Sequence, residues 1–214
     1  MKLGKRKCKN CGCIFQKTQP LQFVCTIKCS IQYSKKQQEI KEQKGWKQRK
    51  KVLAENTKKR TDYEDDLQTV VNSIIRIIDN GYPCIATGAQ TGKRNAGHYV
   101  SRGSNATLRY NLFNIYIQSE HSNNFKGGDN IRYADGLKAT FGRKHFDYVE
   151  SLRAIYNAPL KMSIDELKEK IILAKSIEKQ LLNEGRIYSP KERLTKRSWA
   201  QSELKIYLDI YYIE

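Results

Sequence analysis

The sequence predicts an α+β fold assembled from unlike parts in a row. Three observations carry that prediction. Four cysteines, Cys8, Cys11, Cys25 and Cys29, crowd into one short N-terminal block. Two stretches, Thr61 to Asn80 and Ser163 to Leu181, repeat apolar residues at helical spacing behind capping sequences. Between them, Gly88, Gly92 and Gly97 cut Pro83 to Tyr99 into pieces that suit turns and short strands.

Residues 1–33 read as a treble-clef-like zinc-binding module. Cys8-x-x-Cys11 forms a knuckle, a hairpin-like stretch runs through Phe15 and Phe23, and Cys25-x-x-x-Cys29 opens a helix. Two close pairs of thiolates can meet tetrahedrally around one zinc ion, whose binding energy folds a segment too small to fold alone. Cys13, beside the knuckle, is the alternative to one of the four. Cysteines gathered in this way point to a structural metal in a reducing compartment rather than to disulfides.

Residues 34–60 form a basic helical arm or linker. From Lys35 to Arg60 there are eleven basic and three acidic residues, with Trp46, Val52 and Leu53, besides Ile40, as large apolar groups. Such a run suits non-specific contact with phosphates, and Lys50, Lys51 and Arg60 are the candidate DNA contacts within it. An aromatic among cations, here Trp46, can stack on an unpaired base.

Residues 61–158 are the expected core. Thr61-x-x-Glu64 resembles a capping box, and Leu67, Val70, Val71, Ile74, Ile75 and Ile78 fall on one helical face that Gly81 ends. A hairpin within Pro83 to Tyr99 is expected to deliver His98 on its second strand. Lys126-Gly127-Gly128-Asp129 bends the chain, and Tyr133, Leu137 and Phe141, then Phe146, Val149 and Leu152, suggest short helices. Residues 159–214 are a helical C-terminal region. Its long helix starts at Ser163-x-x-Glu166 and carries Ile164, Leu167, Ile171, Ala174, Ile177 and Leu181 towards its own chain or a second copy in a homodimer. The Lys-, Arg- and Tyr-rich tail shows no chemistry.

Forty Lys and Arg against 22 Asp and Glu give a formal charge of +18, which favours a polyanionic partner, nucleic acid first. A membrane partner is disfavoured, because no run approaches the roughly 18 apolar residues of a spanning helix. The N-terminus lacks the apolar core of a signal peptide, so a cytoplasmic location is expected.

The chemistry is concentrated in Ala96-Gly97-His98-Tyr99-Val100-Ser101-Arg102-Gly103, then Leu108-Arg109-Tyr110-Asn111 and Asn114, then Ser122-Asn123-Asn124. A histidine at a strand end, an asparagine in the connecting loop and another at a helix start resemble the reduced ββα-metal core of HNH-type nucleases. With the four-cysteine block, the basic arm and the Pro83-Cys84 turn, this order resembles the NinG (Rap) family of phage recombination proteins over roughly residues 5 to 155. The resemblance implies a structure-specific endonuclease acting on branched recombination intermediates such as Holliday junctions. It also implies a phage or prophage protein working in a bacterial cytoplasm. Carried over by position, His98 is the general base that activates water, Asn114 orients it or fixes the loop, and Asn123 stands on the side of a catalytic Mg2+. Arg102 and Arg109 are placed to meet phosphate, with Ser101 and Asn124 assisting.

The sequence departs from the family pattern where members carry a second zinc knuckle. Cys84 with Thr87 and Ser119 with Ser122 occupy those places, and hydroxyls are poor zinc ligands, so no zinc is expected there. Gly97 stands where HNH sites often have a carboxylate or histidine. A DNA-binding recombination accessory protein without cleavage is therefore the alternative expectation.

Overall fold

The computed structural model describes residues 4–125 and 130–207, without the side chains of residues 123–125. It is mostly helical with two small sheets, and it divides into two compact units, residues 1–58 and 59–214.

The first unit pairs β1 (Lys5–Lys7) with β2 (Ile14–Gln16), antiparallel with Arg6 opposite Phe15. Helix α1 (Ile27–Asn56) follows, and the Thr26 hydroxyl caps it by accepting from the Cys29 amide at 3.2 Å. α1 begins inside the cysteine block and runs unbroken through the basic arm. Cys29 is its sole buried residue, and Ile27, Ile31, Trp46 and Leu53 are exposed. Lys, Gln, Glu and Ala hold it helical by propensity rather than by packing.

In the second unit, α2 (Arg60–Ile78) lays Leu67, Val71, Ile74, Ile75 and Ile78 against Leu167, Ala174, Ile177 and Leu181 of α6 (Ile164–Glu184). Of the two partners expected for the α6 stripe, its own chain or a second copy, the structure shows the first; only Ile164 of that stripe stays outside the core. Ser163 and Glu166 form the expected box, with Ser163 N–H donating to Glu166 Oε2 at 2.6 Å. The α2 box is displaced: its cap is Lys59, whose N–H donates to Asp62 Oδ2 at 2.7 Å, instead of Thr61 with Glu64.

The expected hairpin within 83–99 does not form. His98 ends β3 (Arg94–His98), whose partner is the downstream β4 (Ile115–Ser119), with His98 opposite Ile115 and Arg94 opposite Ser119. Residues 83–93 are turns, because Gly88 and Gly92 take φ of 68° and 89°, where β-carbon-bearing residues are strained. Two short 3-10 turns, Ala106–Tyr110 and Leu112–Asn114, lead into β4, and α3 (Glu120–Phe125) follows it directly. The order is therefore strand, loop, strand, helix.

A second core covers the other face of this hairpin. α4 (Asn130–Phe141) and α5 (Arg143–Ile155) bring Tyr133, Leu137, Phe146, Val149 and Leu152 against Tyr99, Phe113 and Tyr116. The Tyr116 hydroxyl meets His145 Nε2 at 2.6 Å, and burial, aided by the charge of Arg197, holds that imidazole down to about 3. The ring is therefore neutral in the folded protein at pH 7. α4 approaches the chain closely at Gly136, where an added β-carbon would lie 1.7 Å from the Ile85 carbonyl oxygen. Gly136→Ala is expected to force α4 away from that backbone at a cost of about 3 kcal/mol, read as a lowered urea midpoint.

α7 (Pro190–Leu204) closes the unit with a Ser189/Glu192 box and Pro190 at its first turn. Its Arg193 and Arg197 are fully buried around Asp79, at the C-terminal end of α2. Arg193 Nε lies 2.9 Å from Asp79 Oδ1, and Arg197 Nη2 lies 2.8 Å from both carboxylate oxygens. Asp79 Oδ2 also accepts from the Ile117 amide at 2.9 Å, so one carboxylate ties α2, β4 and α7 together.

Candidate functional site

His98 is presented by the last residue of β3 and is held from behind. Its Nε2 lies 2.9 Å from the Arg109 carbonyl oxygen. A carbonyl only accepts, so Nε2 carries the proton and Nδ1 of the neutral ring keeps its lone pair. Burial lowers the pKa of His98, the Arg109 carbonyl opposes this, and the charges of Arg102 and Arg109 lower it further. The result is an imidazole that stays a free base at neutral pH with one nitrogen uncommitted.

The ring is oriented by a main-chain carbonyl and not by an amide side chain. Asn114 is completely buried and works on the loop. Its Oδ1 accepts from the Val100 amide at 2.8 Å, while Nδ2 donates to the carbonyls of Val100 at 3.0 Å and Leu108 at 3.3 Å. It thereby fixes both ends of the loop that carries Arg109. On the far face of β3, the Tyr133 hydroxyl donates to the Gly97 carbonyl at 2.8 Å and braces the strand from α4.

Arg109 departs from expectation. Its guanidinium lies against α2, with Nε donating to Gln68 Oε1 at 3.2 Å and ion pairs to Glu64 at 3.4 Å and Asp65 at 2.5 Å. Those carboxylates take the donors that a phosphate would use, so this arginine anchors the loop to α2, and its carbonyl positions His98. Arg60 likewise pairs with Glu64 at 3.0 Å, one helical turn away. Arg102 lies exposed in the loop just after His98, with no ion pair among the described residues. Lys50 and Lys51 lie on α1 in the other unit, and the Lys50 ammonium sits 5.2 Å from the Trp46 ring centre. Asn123 belongs to α3, but its side chain and that of Asn124 lie outside the description, as does Asp129. The expected Mg2+ side of the site therefore lies outside the described residues.

The N-terminal block contains a candidate metal centre. The sulfurs of Cys8, Cys11, Cys13 and Cys25 all lie within 4.8 Å of one another. Cys11 Sγ is 3.1 Å from Cys13 Sγ and 3.6 Å from Cys25 Sγ. Tetrahedral zinc bonds of about 2.3 Å place sulfurs roughly 3.8 Å apart, so this group could hold such a metal with small adjustment. Cys13 stands where Cys29 was expected. Gly12, at φ 77°, turns the chain back so that the Cys8 amide donates to the Cys13 carbonyl at 2.8 Å, and this brings Cys13 into the group. Cys29 lies outside the four but only 3.6 Å from Cys25.

Cys84 begins a turn with the same backbone pattern as the Cys8 knuckle. The Gly12 amide donates to the Cys8 carbonyl at 3.0 Å, and the Gly88 amide donates to the Cys84 carbonyl at 2.8 Å. The Cys84 amide donates to Ala89 at 2.9 Å, as the Cys8 amide does to Cys13. Around Cys84, hydrogen bonds occupy the place of metal bonds: its sulfur is 3.4 Å from Ser122 Oγ, which is 2.9 Å from Ser119 Oγ. Burial alone would push the Cys84 thiol up, but hydrogen bonds from Ser122, Thr87 and Ser119 outweigh it and bring it down to about 6.

A family model described as the bacteriophage lambda NinG protein matches residues 1–184. The Protein ninG of Escherichia phage lambda is 29% identical over 167 residues, covering 70% of this chain and 82% of the relative. The Protein ninG of Escherichia phage 933W is 28% identical over 165 residues with the same coverage, and that of Salmonella phage P22 is 28% identical over 167 residues, also with the same coverage. No solved structure matches the chain. Among the described residues, no helix is long and apolar enough to cross a membrane.

Proposed function

The chain belongs to the NinG family of bacteriophage lambda proteins, and from that membership we propose that it serves phage DNA recombination as a metal-dependent endonuclease on branched, Holliday-junction-like DNA. The observation that carries the reading is His98. It ends a strand with Nε2 spent on the Arg109 carbonyl and Nδ1 left as a base, in a strand–loop–strand–helix unit of HNH-like order. Such a base takes a proton from water as the water attacks the scissile phosphate. A magnesium ion held on the Asn123 side would neutralise charge on that phosphate. Arg102, exposed beside His98, is the residue free to pair with the phosphate, whereas Arg109 is spent on positioning. The net charge of +18 supports capture of DNA, and the N-terminal thiols support a structural zinc.

The test is cleavage of a labelled synthetic four-way junction beside a linear duplex of the same sequence, with magnesium or with EDTA. Metal-dependent cuts selective for the junction are expected, and His98→Ala should reduce their rate by about 10²–10⁴-fold. The base works only when neutral and its pKa lies below the ordinary 6.5, so the acid limb of the wild-type rate profile should fall below pH 6.5. Tight junction binding without cuts by either protein would replace this reading with that of a non-catalytic recombination accessory protein. The pairing of Arg60 and Arg109 with carboxylates favours that alternative, because it leaves fewer cations for DNA near His98.

A further inference from the structure

At the end of β3 opposite His98 lies a cavity of about 440 Å3. Arg76, Asn80, Gln90 and Arg94 line it, with Asp79 and Ile117 beneath. The charge there does not balance. Asp79 is one carboxylate shared by two buried guanidiniums, those of Arg193 and Arg197, which leaves one positive charge in excess. Arg76 and Arg94 add two more. Arg94 Nη1, in the lining of the cavity, is buried without any hydrogen-bond partner. A buried donor left unpaired costs about 1–3 kcal/mol, and more when it is charged. An acceptor arriving from outside would recover that cost.

We infer that this cavity holds a phosphate group, supplied by the backbone of the nucleic-acid strand; the inference rests on the proposed action on DNA. Two guanidinium forks and two amide side chains offer more donors than a single carboxylate can use, and they match the several oxygens of a phosphate. The spacing fits as well. Arg94 and His98 are four residues apart on one strand, so both point to the same face of the hairpin, roughly 13 Å from each other. That distance corresponds to about four nucleotide steps at an axial rise of ~3.4 Å. The cavity would grip the strand away from the cut and fix its register relative to His98. None of this requires Arg109 or Arg60, whose guanidiniums are already paired.

The experiment is the salt dependence of junction binding in EDTA, measured by fluorescence anisotropy between about 50 and 200 mM salt. It compares the wild type, the Arg76→Gln/Arg94→Gln double variant, and Lys179→Gln as a control on the exposed face of α6. Among the described residues Arg94 makes no side-chain hydrogen bond or ion pair and its buried Nη1 is unpaired, so its loss should not lower the melting temperature. The double variant should bind about tenfold more weakly, and its plot of log affinity against log salt should be shallower by about one unit, one phosphate contact being lost. Affinity and slope equal to those of the wild type would overturn the inference. Should the wild type bind no DNA at all, the proposed function fails and pyrophosphate decides the cavity separately. A thermal shift seen in the wild type and lost in the double variant would keep the phosphate site and reject the nucleic acid as its source, whereas no shift would overturn the site.

Discussion

Asp79→Ala is expected to destabilise the second unit by about 3–5 kcal/mol, enough to unfold a domain of ordinary stability at moderate temperature. The magnitude comes from what remains behind. Asp79, Arg193 and Arg197 all lie out of contact with water, and removing the carboxylate leaves two guanidiniums facing each other with no anion between them. Arg197 would keep its bonds to the carbonyls of Leu112 at 3.2 Å and Ile115 at 3.3 Å, but these are dipoles and not charges. The Ile117 amide would also lose its acceptor, and Ile117 lies in β4, paired with the strand that ends at His98. Loss of stability should therefore be accompanied by loss of order at the candidate site. Urea unfolding followed by far-UV circular dichroism measures the first, and the His98 imidazole signals in NMR measure the second. Asp79→Asn separates charge from hydrogen bonding, because it restores an acceptor for Ile117 without the charge. If the ion cluster dominates, the asparagine variant should recover less than half of the loss. Full recovery would assign the effect to the Ile117 hydrogen bond instead.

This cluster also marks the limit of what could be read from the sequence. α2 and α6 were legible because their apolar residues recur every three or four positions, which only a helix puts on one face. The Ser163/Glu166 box gave the start of α6 within a residue. α7 fell inside the expected helical C-terminal region without bounds of its own, because Arg193 and Arg197, which hydropathy counts as surface, share its inward face with Leu194, Ala200 and Leu204. Its start was available in Ser189-Pro190-x-Glu192, a box with proline at the first turn that the expected boundaries did not use. The partner of β3 was equally hidden. Both strands have five residues, and β3 carries a glycine and no clean alternation, so the pairing with β4 is decided by the two cores around it and not by local pattern. At the site, His98 and Asn114 were legible as members of a motif. The role of Arg109 was not, since its carboxylate partners Glu64 and Asp65 lie more than forty positions away. An arginine placed near a histidine reads as a phosphate ligand until the structure shows what it touches. The cavity at Arg76 and Arg94 depends on the same kind of distant contact and left no trace in the spacing of residues.

Zinc removal is expected to have the largest effect on the first unit. β1 and β2 have three residues each, and among the described residues of this unit the buried apolar ones are Cys8 and Cys29. A two-stranded hairpin of this size has no core to hold it. Apparent zinc affinities of small modules, about 10–16 kcal/mol at neutral pH, far exceed anything its own contacts supply. Purified protein should therefore release one zinc per chain to a colorimetric chelator, and the amide signals of residues 5–25 should collapse towards unfolded positions. The helical signal of the second unit should persist, because its cores contain no residue of the cysteine block. Single substitutions then identify the ligands. Cys8→Ser, Cys11→Ser and Cys25→Ser should each lower zinc content to near zero. The decisive comparison is Cys13→Ser with Cys29→Ser. The four sulfurs gathered within 4.8 Å include Cys13 and exclude Cys29, so Cys13→Ser should lose the metal and Cys29→Ser should keep it. The reverse result would show that the helix-borne thiol closes the site when metal is bound, with Cys25 as the hinge, since its sulfur lies only 3.6 Å from Cys29. Zinc that survives Cys8→Ser would overturn the assignment altogether, because Cys8 is the buried thiol at the base of the knuckle, and no arrangement of the remaining four retains that turn as a ligand pair.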